Sequence, residues 1–257
     1  MIWAGNKYGK GIRKKANPKE IGFCPICGGE LIPKCGVVKI WHWSHKSLVD
    51  CDNWSEPESE WHLNWKDKFP KEQQEVIIQN HRADIKCKDG TIIELQNSSI
   101  SADDICDREM FYKNMIWLLN GETLGKNFEI RDKESYFTFS WKHPPQSWFY
   151  SEKNMYIDLS KIFKEYDEML EDCLNRIELA ENNKISKYVK DINLLKELKV
   201  ELEELMNKEY LFNAKKIKEP KTIFLIKKLY RKIPCAGWGY LISKEEFLRK
   251  FGGNNEN

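Results

Sequence analysis

No run in this sequence approaches the ~20 consecutive apolar residues a membrane helix needs, so it offers no segment that would cross a bilayer in that way. The first residues, MIWAGNKYGKGIRKK, lack the apolar region and small-residue cleavage site of a secretory leader. Together these absences predict a cytoplasmic protein. Net charge is also scarce. With 42 basic and 40 acidic residues the formal balance is +2, so affinity for a polyanion has to come from local patches. There is no internal repeat, and no low-complexity tract beyond the final GGNNEN, which excludes a repeat architecture.

What is present is a 257-residue chain with 41% hydrophobic and 32% charged residues, enough for a real core in one large domain or two small ones. Eight cysteines without an export signal argue for reduced thiols, some of them metal ligands, rather than a disulfide framework. Composition and motif content divide the chain into five stretches. Residues 1–19 read as a basic, flexible arm on which Trp3 and Tyr8 are possible docking points. Residues 20–55 form a zinc-binding element and 56–157 a mixed α/β core. Residues 158–212 read as a helical hairpin and 213–257 as a basic, aromatic segment.

Cys24-Pro25-Ile26-Cys27-Gly28-Gly29 has the form of a zinc knuckle. Two thiolates separated by two residues face one ion, and the glycines let backbone amides turn toward the sulfurs. The other ligands come from His42, His45 and Cys51. Period-two alternation puts His45 with Trp41 and Trp43 on one strand face and His42 on the other. The expected set is Cys24, Cys27, His45 and Cys51, with His42 as the substitute. Cys35 reads as a small buried residue. A redox CxxC would open a helix after a strand, whereas here Gly-Gly follows. Four protein ligands leave no open position, so this zinc is structural.

The segment HRADIKCKDGTIIELQN, residues 81–97, carries the chemistry. Arg82 to Cys87 alternates as a strand, Asp89-Gly90 is a hairpin turn, and Thr91 to Gln96 is a second strand. Asp84 lies on the first strand; Glu94 and Gln96 share a face of the second. Two carboxylates and the Leu95 carbonyl make an oxygen cage suited to Mg²⁺ or Mn²⁺. The pattern resembles the Asp…Glu-x-Lys signature of PD-(D/E)xK nucleases, with Ala83 before the aspartate and Gln96 in the lysine position. Gln96 can orient a water but lends no charge. Upstream, Glu58 to Lys66 reads as a helix after Pro57 with His62 and Lys66 on one face. Its Glu60 either adds a third carboxylate or favours the helix dipole. Downstream, Arg108 and Tyr112 share a helix face, and Met115 to Leu119 reads as a buried central strand. The order helix, hairpin, helix, strand is that of a restriction-endonuclease-like core.

CPICGG, the HWSH element, DCDNW, the SEWH…K helix, HRADIK, IIELQNSSIS, the RxxxY pair and IWLLNG together resemble the CoiA-like competence-protein family over about residues 20–150. The resemblance implies a nuclease-like domain behind a Cys/His zinc element, and a link to incoming DNA during natural transformation. It implies Asp84, Glu94 and Gln96 as the catalytic set with His62 and Lys66 in support, and a Glu-x-Gln variant of the usual triad.

Beyond residue 158 the apolar residues from Leu159 to Ile177, including Met169, and from Tyr188 to Leu205 recur at helical spacing. They suit an antiparallel hairpin, which would serve as a stem or as a homodimer contact. Lys215, Lys216, Lys218, Lys221, Lys227, Lys228, Arg231 and Lys232, interleaved with Phe224, Leu225, Ile226 and Tyr230, suit a DNA-backbone contact or a solvated surface equally. Trp148, Phe149 and Tyr150 are expected to pack on the sheet, with base stacking the alternative. The expected activity is metal-dependent hydrolysis of DNA. The alternatives are a DNA-binding module that no longer cuts, and a partner-recruiting protein that uses its helices.

Overall fold

A computed structural model describes residues 1–6, 13–37, 40–47, 51, 52, 54, 58–122, 127–182, 193–200, 221–231 and 235–254. The chain is mixed α/β and divides into two compact units. The first comprises Met1–Leu118, Tyr150–Lys153 and Leu248–Asn257, and the second Leu119–Phe149 and Asn154–Phe247.

In the first unit, strands β1 (Gly22–Phe23), β2 (Glu30–Lys34) and β3 (His42–His45) make an antiparallel sheet in that order. Its small core is Ala4, Ala16, Cys24, Leu31 and Trp43, with Cys35 only partly buried against it. Gly22 is required where it stands, since a Cβ there would lie 2.6 Å from the Cβ of Ala4. The expectation of a flexible N-terminal arm fails for its described part. Ile2, Trp3 and Ala4 are buried, Ala4 bridges Lys14, and Arg13 and Lys15 sit over the Trp3 ring. Apolar surface gained from Trp3 outweighs the freedom lost by the chain. Tyr8 lies outside the described residues.

The same unit continues with α1 (Glu60–Lys66), β4 (Gln74–Ile78), β5 (His81–Lys86), β6 (Ile92–Gln96), α2 (Ala102–Tyr112) and β7 (Met115–Asn120). Strand order is β4-β5-β6-β7. Helix α1 starts where a capping box closes: the Ser59 hydroxyl accepts from the His62 amide, and the His62 ring accepts from the Ser59 amide. His62, Trp65 and Lys66, at helical spacing, form its buried face. The β5–β6 hairpin turns at Gly90, whose φ of 86° suits glycine, and Asp89 caps the turn by accepting from the amide and hydroxyl of Thr91. Every residue of β6 and β7 is buried, as a strand covered on both faces requires.

The second unit holds β8 (Phe128–Asp132), β9 (Phe137–Trp141), β10 (Asn154–Asp158), β11 (Lys221–Tyr230) and β12 (Cys235–Ser243). They lie in the order β10-β11-β12-β9-β8 and pair antiparallel throughout. Helix α3 (Ser160–Asn182) precedes β11, and 193–200 is also helical. On α3, Cys173 and Ile177 are buried, but Met169, which belongs to the same apolar stripe, is 50% exposed. Most of the second arm of the expected hairpin, including Tyr188, Ile192, Leu202 and Leu205, lies outside the described residues, as do Lys215, Lys216, Lys218 and Lys232. Trp148 is buried, in keeping with packing. Phe224, Leu225 and Ile226 are core residues of β11, so only its cationic end remains open to a partner.

Candidate functional site

Two polar centres form in the first unit. The first collects Cys24, Cys27, His45 and Cys51, whose ligand atoms all lie within 4.8 Å of one another. Cys24 and Cys27 flank a tight turn in which the Gly28 amide donates to the Cys24 carbonyl, and the Gly29 amide donates to the Cys27 sulfur at 3.4 Å. Gly28 has φ 71°, and a Cβ at Gly29 would stand 3.2 Å from that sulfur, so both glycines belong to the cradle. Cys27 Sγ is 3.3 Å from His45 Nε2, and Cys24 Sγ is 3.5 Å from Cys51 Sγ. His42 does not join them; its Nδ1 meets the Ile40 carbonyl at 2.7 Å.

The chemistry of this donor set fits a metal. Burial and the neighbouring thiols push Cys51 up to about 12. Burial also opposes ionisation of Cys27, but the Gly29 amide and the adjacent thiols reverse this and hold it below the usual range. Three sulfurs this close ionise together only when a cation shares them. Burial and Arg82 lower His45, which favours the neutral imidazole that ligates.

The second centre is built around Lys66. This ammonium is 2% exposed and lies 2.7 Å from Glu58 Oε1, 2.9 Å from Asp84 Oδ1 and 3.3 Å from Glu75 Oε1. Burial opposes its charge, but the three carboxylates, Asp84 foremost, more than reverse this and raise it. Glu75 also accepts from the amides of Ile2 and Trp3 and faces Arg82 at 3.9 Å. Its burial would raise it, yet Lys66 and Arg82 hold it far below the usual carboxylate range. The residue has φ 44°, a strained value for a side chain other than glycine.

The β5–β6 register sets Ile85 against Ile93, so Asp84 lies opposite Glu94. Asp84 Oδ2 accepts from the Leu95 amide at 3.0 Å, while the Asp84 amide donates to Glu94 Oε1 at 3.3 Å. Arg108 of α2 donates to Glu94 Oε2 at 3.0 Å and to the Trp54 carbonyl at 2.7 Å. Burial raises Glu94 to about 8, with the Asp84 charge adding to the effect and Arg108 opposing it. Asp84, also subject to burial, is nonetheless lowered, chiefly by Lys66. His62 Nδ1 accepts from the Ser59 amide, so the ring proton sits on Nε2, which donates to the Leu95 carbonyl at 3.3 Å.

A cavity of about 20 Å³ lies among Glu58, His62, Asp84, Glu94, Leu95 and Arg108, room for a single water or ion. The oxygens on its walls suit a hard cation. No hydrogen-bond donor among the described residues reaches Glu58 Oε2, although that atom is buried. Asp84, Glu94, Lys66 and His62 are thus brought together as the sequence suggests. Gln96 is buried beside them but turns its amide nitrogen to the Ser98 carbonyl at 3.1 Å. Glu60 is exposed and does not reach the cavity. The extra carboxylates are instead Glu58 and Glu75. Neither is signalled by spacing, because one precedes the helix and the other sits at a positive φ in β4.

The model of the competence protein CoiA N-terminal domain matches residues 10–53, and that of the CoiA nuclease-like domain matches residues 59–186. Competence protein CoiA of Bacillus subtilis (strain 168) is 50% identical over 44 residues, 17% of this chain, and the match spans only 12% of that protein's length. No solved structure matches. With its Cys₃His group in the stretch matched by, or bordering, the first domain and its carboxylate centre in the second, the chain belongs to the CoiA-like family.

Proposed function

We propose that this chain is a Mg²⁺- or Mn²⁺-dependent nuclease that hydrolyses DNA phosphodiester bonds, built on a restriction-endonuclease-like core and carrying a structural zinc ion in its Cys₃His group. The observation that carries this reading is Asp84 directly opposite Glu94 beside a cavity of ion size, whose walls set Glu58, Asp84 and Glu94 against Arg82 and Arg108. Burial, with the Asp84 charge adding to it, raises Glu94, and a divalent ion beside it would favour its charged form.

Asp84, Glu94 and the Leu95 carbonyl would hold the catalytic ion. When bound, it supplies charge stabilisation at the phosphodiester and a more acidic attacking water. Lys66 fixes one oxygen of Asp84 and Arg108 fixes one of Glu94, so both carboxylates are oriented before substrate arrives. His62 holds its Nε2 proton toward the Leu95 carbonyl and sets the direction of that oxygen. Because the amide nitrogen of Gln96 is engaged by Ser98, Gln96 would act on water through its carbonyl oxygen. The relative's name connects the family with competence, and processing of DNA in that setting is the corresponding biological role.

The test is cleavage of circular single-stranded and supercoiled duplex DNA with Mg²⁺ or Mn²⁺, comparing wild type with Asp84→Asn and Glu94→Gln. Cutting that needs metal and vanishes in both variants supports the reading. Two observations favour a second reading, a DNA-binding module that does not cut: Lys66 is engaged by three carboxylates, and Gln96 stands where a lysine is usual. Folded, zinc-loaded protein that shifts DNA in a gel but leaves it intact under all conditions would establish that second reading.

A further inference from the structure

On the sheet of the second unit, one face along β9, β12 and the end of β11 carries partly exposed rings. Alternation on β12 buries Cys235, Gly237, Gly239 and Leu241 and turns Ala236, Trp238 and Tyr240 to the other side. There Trp238 meets Tyr136 at 5.9 Å and Tyr240 at 5.7 Å between ring centroids, both edge to face. Tyr136 and Tyr240 are each 38% exposed, and Tyr230 is 47% exposed. The β11–β12 register puts Lys228 opposite Trp238 and Tyr230 opposite Ala236. Gly237 permits this approach, since a Cβ there would come within 1.9 Å of the Lys228 carbonyl oxygen.

Cations surround the rings. Lys228 is exposed, and on the same face Arg131 and Lys142 both pair with the single carboxylate of Glu129. An apolar protein partner would cover the aromatics at the cost of desolvating these charges. A polyanion that also presents flat ring faces uses both. Duplex DNA hides its base faces in the stack, whereas a single strand offers them.

We propose that this open face binds single-stranded DNA, with bases stacking on Trp238, Tyr240 and Tyr230 while Lys228 and its neighbouring cations meet the phosphates. The choice of DNA over RNA rests on the nuclease reading above; the stacking platform itself does not.

The test is fluorescence anisotropy in Mg²⁺-free buffer with the full chain and labelled oligo(dT), oligo(rU) and duplex of about 20 nucleotides, a length that spans several stacking sites. Oligo(dT) should bind at least ~10-fold more tightly than duplex, and Trp238→Ala or Tyr240→Ala should each weaken it roughly 10-fold. Trp238→Phe should restore most of the loss, and Lys228→Ala should reduce the salt dependence by about one phosphate contact. Duplex bound as tightly as oligo(dT), tighter binding of oligo(rU), or alanine variants that melt and bind like wild type would each overturn the proposal. If no protein cuts DNA while Trp238→Ala still loses oligo(dT), the nuclease reading fails and this one stands. If wild type cuts and the aromatic variants bind single strands unchanged, this one fails alone.

Discussion

The Cys₃His group and the carboxylate centre lie in the same unit, yet their polar atoms are held in opposite ways. The four soft ligands have mainly one another: Cys27 meets His45, and Cys24 meets Cys51. The carboxylates are bound instead to fixed cations, Lys66 and Arg108, and to backbone amides. On the proposed reading a zinc ion completes the first arrangement and is part of its fold. On the same reading the second, whose carboxylates already have protein cations and an amide as partners, takes an exchangeable ion. The proposed function thus places stability in one centre and chemistry in the other.

The sharpest way to break this contrast is to remove the soft ion. Zinc binding in small domains is worth ~10–16 kcal/mol of coupled folding free energy, more than any other single feature here. Chelation or Cys24→Ser should therefore unfold residues 20–47 and lower the melting temperature more than any variant of the carboxylate centre. His42→Ala should keep one zinc per chain while His45→Ala loses it. Zinc content and thermal melts decide; a Cys24→Ser protein that retains zinc and melts like wild type would sink the assignment.

Lys66→Met comes next. It leaves the buried side chains of Glu58 and Glu75, and the partly exposed Asp84, without their common partner. Removing one member of a buried ionic network costs about 3–5 kcal/mol, which urea unfolding would register. A loss within the ~0.5 kcal/mol typical of surface changes would show that the cluster is more solvated than its burial implies.

A smaller effect separates the carboxylates by pH. Glu94 is raised from 4.5 to about 8, so within that window the folded chain holds a proton the unfolded chain has released. Its contribution to stability therefore falls as pH rises from the unfolded to the folded value. Asp84 is lowered and has the opposite sign: its contribution is present above its unfolded value of 3.8 and is lost as pH falls through the folded one. In Mg²⁺-free buffer Glu94→Gln should gain on wild type by up to ~1 kcal/mol per pH unit across the Glu94 window. A gap that stays constant with pH would mean Glu94 is ionised throughout.

Much of both centres was legible in the sequence because local spacing encodes it. CxxC and the Asp-Gly hairpin fix neighbours within a few residues, so Cys24, Cys27, Asp84 and Glu94 could be read directly. Glu58 and Glu75 could not. Their approach to Lys66 depends on how α1 packs against β4 and β5 and on a left-handed residue that no propensity favours. Trp3 is a similar case: a basic stretch with glycines reads as an arm, and the burial of its ring, with the Glu75 carboxylate accepting from the Ile2 and Trp3 amides, shows why it docks. The open face of the second unit was hidden for another reason. Phe224 to Ile226 look as ready to contact DNA as Lys227 and Tyr230 until the β11–β12 register tells core from surface.

The smallest expected effect tests the finest distinction, between two glutamates two residues apart. Glu58 precedes the capping Ser59 and turns under α1, where its side chain is 6% exposed and touches Lys66. Glu60 opens the helix on its outer side and is exposed. An acidic residue in a first turn gains ~0.3–1 kcal/mol from the helix dipole and little else. Glu60→Gln should thus cost a few tenths of a kcal/mol and leave metal-dependent cleavage unchanged, whereas Glu58→Gln should weaken Mg²⁺ activation. Measured as Mg²⁺ titrations of cleavage rate on both variants, equal shifts would place the third carboxylate at the helix start, and a shift in Glu58→Gln alone keeps it beneath the helix.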